Sequence, residues 1–220
     1  MQQRFHRPDR RGLDDAADYS LVMATTPLLQ ASVLVVEQKR KFFEMRNQYR
    51  IFDESGTQIG SVEQSKQSVL AFVARFGSDL DALLPVALEV ADSTGQPVLV
   101  MGKPWFRMTF SVSRPDGTRL GSIAKRIKLG KARFTITDPS GAEMGEIRAQ
   151  NWRAKDFSVT DHAGNEVARA TKQWRGLATE VFTDADTYVV NLLPQASEPL
   201  RSIALAGSLA IDVLMKQKDY

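Results

Sequence analysis

One device recurs down the middle of this chain and limits its fold more than any other feature. A strand-like segment runs into a turn built from aspartate and glycine, and a second strand-like segment follows. The copies are Phe52-Asp53-Glu54-Ser55-Gly56, Asp92-Ser93-Thr94-Gly95, Pro115-Asp116-Gly117, Asp138-Pro139-Ser140-Gly141 and Asp161-His162-Ala163-Gly164. Aspartate caps a tight turn through its carboxylate, and glycine accepts the positive φ that such turns require. The segments between them alternate. Arg133-Phe134-Thr135-Ile136-Thr137 and Asp156-Phe157-Ser158-Val159-Thr160 place an apolar residue at every second position, the pattern of a half-buried strand. Gly117, Gly141 and Gly164 lie 24 and 23 residues apart, which leaves room for two strands and a second turn in each interval. Hairpins in succession make an antiparallel meander. From Phe42 to Leu193 the alternation gives about twelve strands. A sheet of that size curls or splits, and closure into a barrel removes its edges.

Two segments break the alternation. Residues 64–84 contain SVLAFVARF and DLDALLP, with apolar spacings of three and four, and read as one or two short helices covering one barrel end. Residues 198–217 form the second. Leu200, Ile203, Leu205, Leu209, Ile211, Val213 and Leu214 surround the whole helical circumference, while Ala204, Ala206, Gly207 and Ala210 keep it slim. A helix apolar on every side is buried on every side. The run from Ile203 to Met215 would cover roughly 20 Å, short of the ~30 Å hydrocarbon core of a bilayer. A barrel of about twelve strands is too wide for its own side chains to fill. The expected fold is therefore mainly β (α+β): a closed antiparallel barrel of about twelve strands enclosing the hydrophobic C-terminal helix.

Composition removes several chemistries. The chain of 220 residues has no cysteine, which excludes disulfides, thiolate metal sites and cysteine nucleophiles. It has two histidines, His6 and His162, and no P-loop, dinucleotide fingerprint, zinc motif or nucleophile elbow. His162 sits inside a turn, and no catalytic residue is read. A net charge of +3 is too small to imply nucleic-acid binding. Residues 1–27 carry four arginines and four aspartates with few apolar residues, so they read as a disordered tail ahead of a barrel domain spanning 28–217. No apolar run follows the arginines, so no secretory leader is read and a cytoplasmic location is expected.

The strongest charge asymmetry is local. Arg119, Lys125, Arg126, Lys128, Lys131 and Arg133 fall in a stretch without an acidic residue between Gly117 and Thr137. Gly130 interrupts the alternation there, so AKRIKLGKA reads as a hairpin tip able to touch an anionic surface. The competing reading is a solvated loop. Lys39-Arg40-Lys41 reads as strand-edge charge that discourages edge pairing. Trp105-Phe106, Trp152 and Trp174 read as packing at the barrel wall or ends, with an interfacial anchor at Trp105-Phe106 as the alternative.

The C-terminal part carries a family resemblance. Gln173-Trp174-Arg175-Gly176-Leu177, then Phe182-Thr183-Asp184-Ala185-Asp186, then the apolar helix with Ala210-Ile211-Asp212-Val213, resembles the last third of the phospholipid scramblases. These belong to the tubby-like fold, with the tubby C-terminal domain and the LURP-one-related proteins. Asn151-Trp152-Arg153-Ala154-Lys155-Asp156-Phe157 and Leu34-Val35-Val36-Glu37-Gln38-Lys39 resemble bacterial, actinobacterial-type relatives. The resemblance spans roughly residues 28–217 and implies a barrel around a C-terminal helix, with phospholipid as partner. It also implies calcium ligands at Asp184 and Asp186. An EF-hand-like loop starting there wants an oxygen ligand at position five, glycine at six and an acidic residue at twelve. The chain supplies Tyr188, Val189 and Gln195, so a hairpin turn feeding the strand Tyr188-Val189-Val190 is the competing reading. The functional expectation is a scramblase-related domain that binds anionic phospholipid at the inner membrane face through Lys125, Arg126, Lys128, Lys131 and Arg133, without catalysis. The alternatives are a calcium-responsive scramblase and a soluble interaction or ligand-sensing module.

Overall fold

A computed structural model describes residues 26–38, 48–64, 86–103, 109–126, 133–150, 156–171 and 187–216, without the side chains of 38, 48, 64, 86 and 210–216. The inserted helices expected at 64–84 lie outside the described residues from position 65 onward, as do residues 1–25.

Twelve strands form one closed antiparallel barrel. They are β1 (Val33–Gln38), β2 (Gln48–Phe52), β3 (Gln58–Gln64), β4 (Val86–Asp92), β5 (Pro97–Lys103) and β6 (Thr109–Ser113). The others are β7 (Arg119–Arg126), β8 (Arg133–Thr137), β9 (Glu143–Ala149), β10 (Asp156–Asp161), β11 (Glu166–Thr171) and β12 (Thr187–Leu192). Each strand pairs with its neighbours in sequence, and β1 pairs with β12 to close the ring. The short helix α1 (Pro27–Gln30) precedes the barrel, and the helix α2 (Leu200–Lys216) follows it.

The five aspartate and glycine turns are copies of one geometry. In the first, Asp53 N–H donates to Thr57 O at 3.0 Å and Gly56 N–H donates to Asp53 O at 3.1 Å. Gly56 takes φ +83, and the pairing of β2 with β3 shifts by one residue beside it. This is a three-residue loop ending in a left-handed glycine and a bulge. The same bonds recur at residues 92–96, 114–118, 138–142 and 161–165. The Asp carboxylate completes the loop: Asp53 Oδ1 accepts from Ser55 N–H and Thr57 N–H, both at 2.9 Å. Because the device recurs at every second connection, all five turns lie at one end of the barrel.

Helix α2 occupies the lumen. It contacts β5, β7, β9, β11 and β12, strands spread around the ring. Every residue from Ser202 to Leu209 is buried, so no side of that stretch meets water. The inward residues of the strands, among them Phe110, Ile123, Phe134, Ile136 and Ile147, pack around it. Gly207 permits the approach, because a Cβ there would lie 2.7 Å from Ile147 Cδ1 and 3.0 Å from Ile123 Cδ1. At the turn end α1 tucks under the barrel, with Leu28 fully buried and Leu29 at 4% exposure. Arg201, in the first turn of α2, holds it there: Nε donates to Leu29 O at 3.1 Å and Nη2 to Ala31 O at 2.9 Å. The guanidinium thus satisfies carbonyls that a helix end leaves unpaired.

Two outcomes follow from this packing. Gly207→Val should cost about 1–3 kcal/mol through overpacking, lowering the calorimetric melting temperature by about 2–4 °C per kcal/mol. An unchanged melting temperature would mean the helix does not pack against β7 and β9. The second concerns acid. Hydrogen bonds from Ser55, Ser140 and Asn165 hold the carboxyls of Asp53, Asp138 and Asp161 below the ordinary value of 3.8. At Asp92 burial pushes upward, but bonds from Thr94, Gln96 and Gly95 outweigh it. A carboxyl that is more acidic folded than unfolded contributes stability above its unfolded value and loses it as protons bind. Denaturant midpoints should therefore fall between about pH 5 and pH 2, and Asp161→Asn should shrink that fall.

Candidate functional site

The meander sorts its connections between two ends. The five tight turns occupy one. The segments leaving β1, β3, β5, β7, β9 and β11 start from the other end and return to it. We call this second end the rim. Strand residues there include Lys103, Lys125, Arg126, Arg133 and Arg148.

Pairing register places arginines in a line on the outer wall near the rim. Arg126 on β7 stands opposite Arg133 on β8, and Arg133 stands opposite Arg148 on β9. Arg148 faces Ser158 on β10, which in turn faces Arg169 on β11. All four arginines are exposed, and neighbouring strands lie ~4.8 Å apart. Three guanidinium-bearing residues in direct register on adjacent strands repel one another, and like charges placed opposite each other destabilise a sheet.

Carboxylates relieve part of this repulsion. Arg126 Nη2 donates to Glu143 Oε2 at 2.8 Å and its Nε donates to Thr135 Oγ1. Arg148 pairs with Glu146, and Arg169 grips Asp156 through Nε at 3.0 Å and Nη2 at 2.8 Å. The Arg148 hydrogen bond holds the Glu146 carboxyl below its ordinary value against the opposing effect of burial, and the charges of Arg148, Arg133 and Arg126 add to it. The Arg133 side chain acts on the Glu146 carboxylate through its charge. The Arg126–Glu143 pair is half-exposed on both sides, and such pairs contribute little to stability.

The inner side of the rim is basic as well. Lys103 shares its strand face with Leu99 and Met101, which belong to the core, and is 2% exposed. Lys125 is paired with the buried Phe134 and shares its face with Ile123. Both lysines therefore project to the luminal side. Burial lowers the Lys103 pKa, and the charge of Lys125 lowers it further.

The five basic residues read from the sequence are thus divided. Arg126 and Arg133 face each other on the outer wall, and Lys125 turns inward. Lys128 and Lys131 lie outside the described residues, as do Asp184, Asp186, Trp105, Trp152, Trp174 and Lys39-Arg40-Lys41. Sequence reading missed Arg148 and Arg169. The turn at 138–142 fixes the register of β8 on β9, so Arg148 opposite Arg133 was available from the turn type alone. His162 sits exposed in its turn, and no group of three or more potential metal ligands occurs among the described residues. The strand foreseen at Tyr188-Val189-Val190 is present as β12.

Arg133→Glu should raise stability by about 0.2–1 kcal/mol at low ionic strength, because it replaces two repulsive cross-strand pairs by attractive ones. The gain should shrink in about 1 M salt, where the Debye length is ~3 Å. Paired urea titrations at both salt levels measure it, and a loss of stability at low salt would contradict the row as drawn.

Comparison with known proteins places the chain. The Scramblase family model matches residues 19–216. A yeast protein from Saccharomyces cerevisiae, "Altered inheritance rate of mitochondria protein 25", is 24% identical over 235 residues, covering 85% of this chain and 71% of its own. The human "Phospholipid scramblase family member 5" is 21% identical over 209 residues, covering 85% of this chain and 74% of its own. An X-ray structure of a protein from Arabidopsis thaliana aligns over 83% of this chain and 93% of that one, with 14% identity and a TM-score of 0.49. With a family model spanning nearly the whole barrel and its central helix, the chain belongs to the scramblase family.

Proposed function

We propose that this barrel binds the surface of anionic phospholipid membranes peripherally, at the inner membrane face and without a catalytic step. The observation that carries the reading is the exposed row Arg126–Arg133–Arg148, three arginines in direct register on adjacent strands. Guanidinium forks match phosphate oxygens bidentately, so lipid phosphates are suited to relieve the repulsion within the row. Lys128 and Lys131, in the segment between Arg126 and Arg133, add charge to the same site. A basic side chain near an anionic leaflet contributes about 1 kcal/mol. The family and the human relative's name support phospholipid as the ligand class. No helix among the described residues is long and apolar enough to cross a membrane, and α2 is committed to the lumen. Surface contact therefore suits the molecule better than insertion of that helix.

Flotation with vesicles of phosphatidylcholine and phosphatidylserine tests the reading. The protein should float with the mixed vesicles and stay behind with pure phosphatidylcholine. Combined replacement of Arg126, Arg133 and Arg148 by Glu should weaken binding about a hundredfold or more, at about 1 kcal/mol for each cation lost. Equal flotation by the triple variant would remove the row from the site. The family name favours a second reading, calcium-responsive lipid scrambling with Asp184 and Asp186 as ligands. Dye-lipid transfer between leaflets in the same vesicles, with and without calcium and with Asp184→Ala as control, separates the two.

A further inference from the structure

Four carboxylates stand among the arginines of the outer wall, and they do not serve alike. Arg126, Arg148 and Arg169 pair with Glu143, Glu146, Asp156 and Glu166, so with Arg133 counted these groups are four cations against four anions. Their formal charges cancel while the pairs stay closed. Glu143 is half-exposed, and a pair of that kind opens at little cost. Glu146 is different. Its side chain is 21% exposed, the least of the four. It sits on β9 between Thr135 of β8 and Thr160 of β10. Arg148 reaches it from two residues along the same strand and donates to it through Nη2. Arg126 crosses from β7, donates to Thr135 Oγ1 beside it and continues to Glu143. The positive charges of Arg148, Arg133 and Arg126, on three adjacent strands, all act on this one carboxylate.

We propose that Glu146 is an internal stand-in for the anion of a bound headgroup, and that it sets the arginine row to prefer doubly charged phosphomonoesters over singly charged phosphodiesters. This selectivity rests on the lipid-binding reading above and gives that reading a headgroup class. A ligand anion grips Arg148 only by displacing Glu146 or by sharing the guanidinium with it. A phosphodiester brings one negative charge and replaces a carboxylate of the same charge, so little is gained beyond the exchange. A phosphomonoester carries about −1.5 to −2 at pH 7 and presents three acceptor oxygens. It satisfies Arg148 and, ~4.8 Å away on the next strand, Arg133 at the same time. The second charge is what the carboxylate cannot match. In a row without Glu146 both classes would bind more tightly, and the distinction between them would narrow.

Phosphatidic acid supplies the monoester and phosphatidylglycerol the diester. Each is mixed with phosphatidylcholine to give vesicles of equal zeta potential, and the full chain is titrated against them by flotation. The unmodified protein should bind the phosphatidic acid vesicles about fivefold more tightly, the factor that one further charge contact at a leaflet contributes. Glu146→Gln keeps the side chain's size and removes its charge. It should strengthen binding to phosphatidylglycerol about fivefold and bring the ratio close to one. Glu63→Gln makes the same change in net charge at an exposed position of β3, which lies across the ring from β9, and should keep the unmodified ratio. Equal binding of both vesicles by the unmodified chain, an unchanged ratio in Glu146→Gln, or an equal fall of the ratio in Glu63→Gln overturns the selectivity and leaves lipid binding intact. Release from phosphatidic acid vesicles by inorganic phosphate, and not by sodium chloride of the same ionic strength, overturns the membrane as the source of the phosphate. Failure of the unmodified chain and of both variants to float with either vesicle overturns the lipid reading and the selectivity with it.

Discussion

A ring of twelve strands encloses more space than its own side chains can occupy, and everything else in the molecule answers to that fact. Helix α2 fills the space. It can do so only because it is apolar around its circumference and thin where the strands press closest, as at Gly207 against Ile123 and Ile147. Neither part is viable without the other. The helix has no polar face to offer water, and the open ring would surround a void lined by Phe110, Phe134 and their neighbours. Fold and filling are one cooperative object, tied at the turn end by Arg201 reaching across to α1.

The helix also supplies a reason for the charges around it. It begins at the end of the barrel bounded by the aspartate turns and finishes at the rim. A helix places partial positive charge at its start and partial negative charge at its finish. The carboxylates therefore stand near the positive end, and the inward lysines Lys103 and Lys125 stand at the end where the negative pole lies. The outward arginines run against stability, since Arg133 is set between two like charges. Residues that break a local rule in an otherwise consistent structure are where function is expected.

Much of this was legible in the chain. The five Asp and Gly turns, the strand count and the buried helix each follow from short-range rules, because turn chemistry and side-chain alternation are decided within a few residues. What lay outside that reach is register across the connections at the rim. Lys125 and Arg126 are neighbours, so they had to point to opposite faces. Deciding which one turned inward required Phe134 to be placed opposite Lys125. The alignment of Arg169 with the row depends on β10 lying between β9 and β11, with Ser158 as the common partner. The hold of Arg201 on the carbonyls of Leu29 and Ala31 joins residues some 170 positions apart, and no local pattern encodes it.

The seam where β1 meets β12 has a bearing on how such a chain is made. Val33 pairs with Asn191, and Ser32 O accepts from Leu192 N–H at 2.7 Å. Translation at about 5–20 residues per second leaves the first strand waiting on the order of ten to thirty seconds for its partner. Throughout that interval the growing sheet has two naked edges and a greasy concave face, and the helix meant to cover it has not yet been synthesised. Contacts so distant in sequence form slowly even in a finished chain. Nascent copies crowded on one messenger would therefore be at their most adhesive just before completion, which makes this architecture a natural client for chaperones that shield open β-sheet.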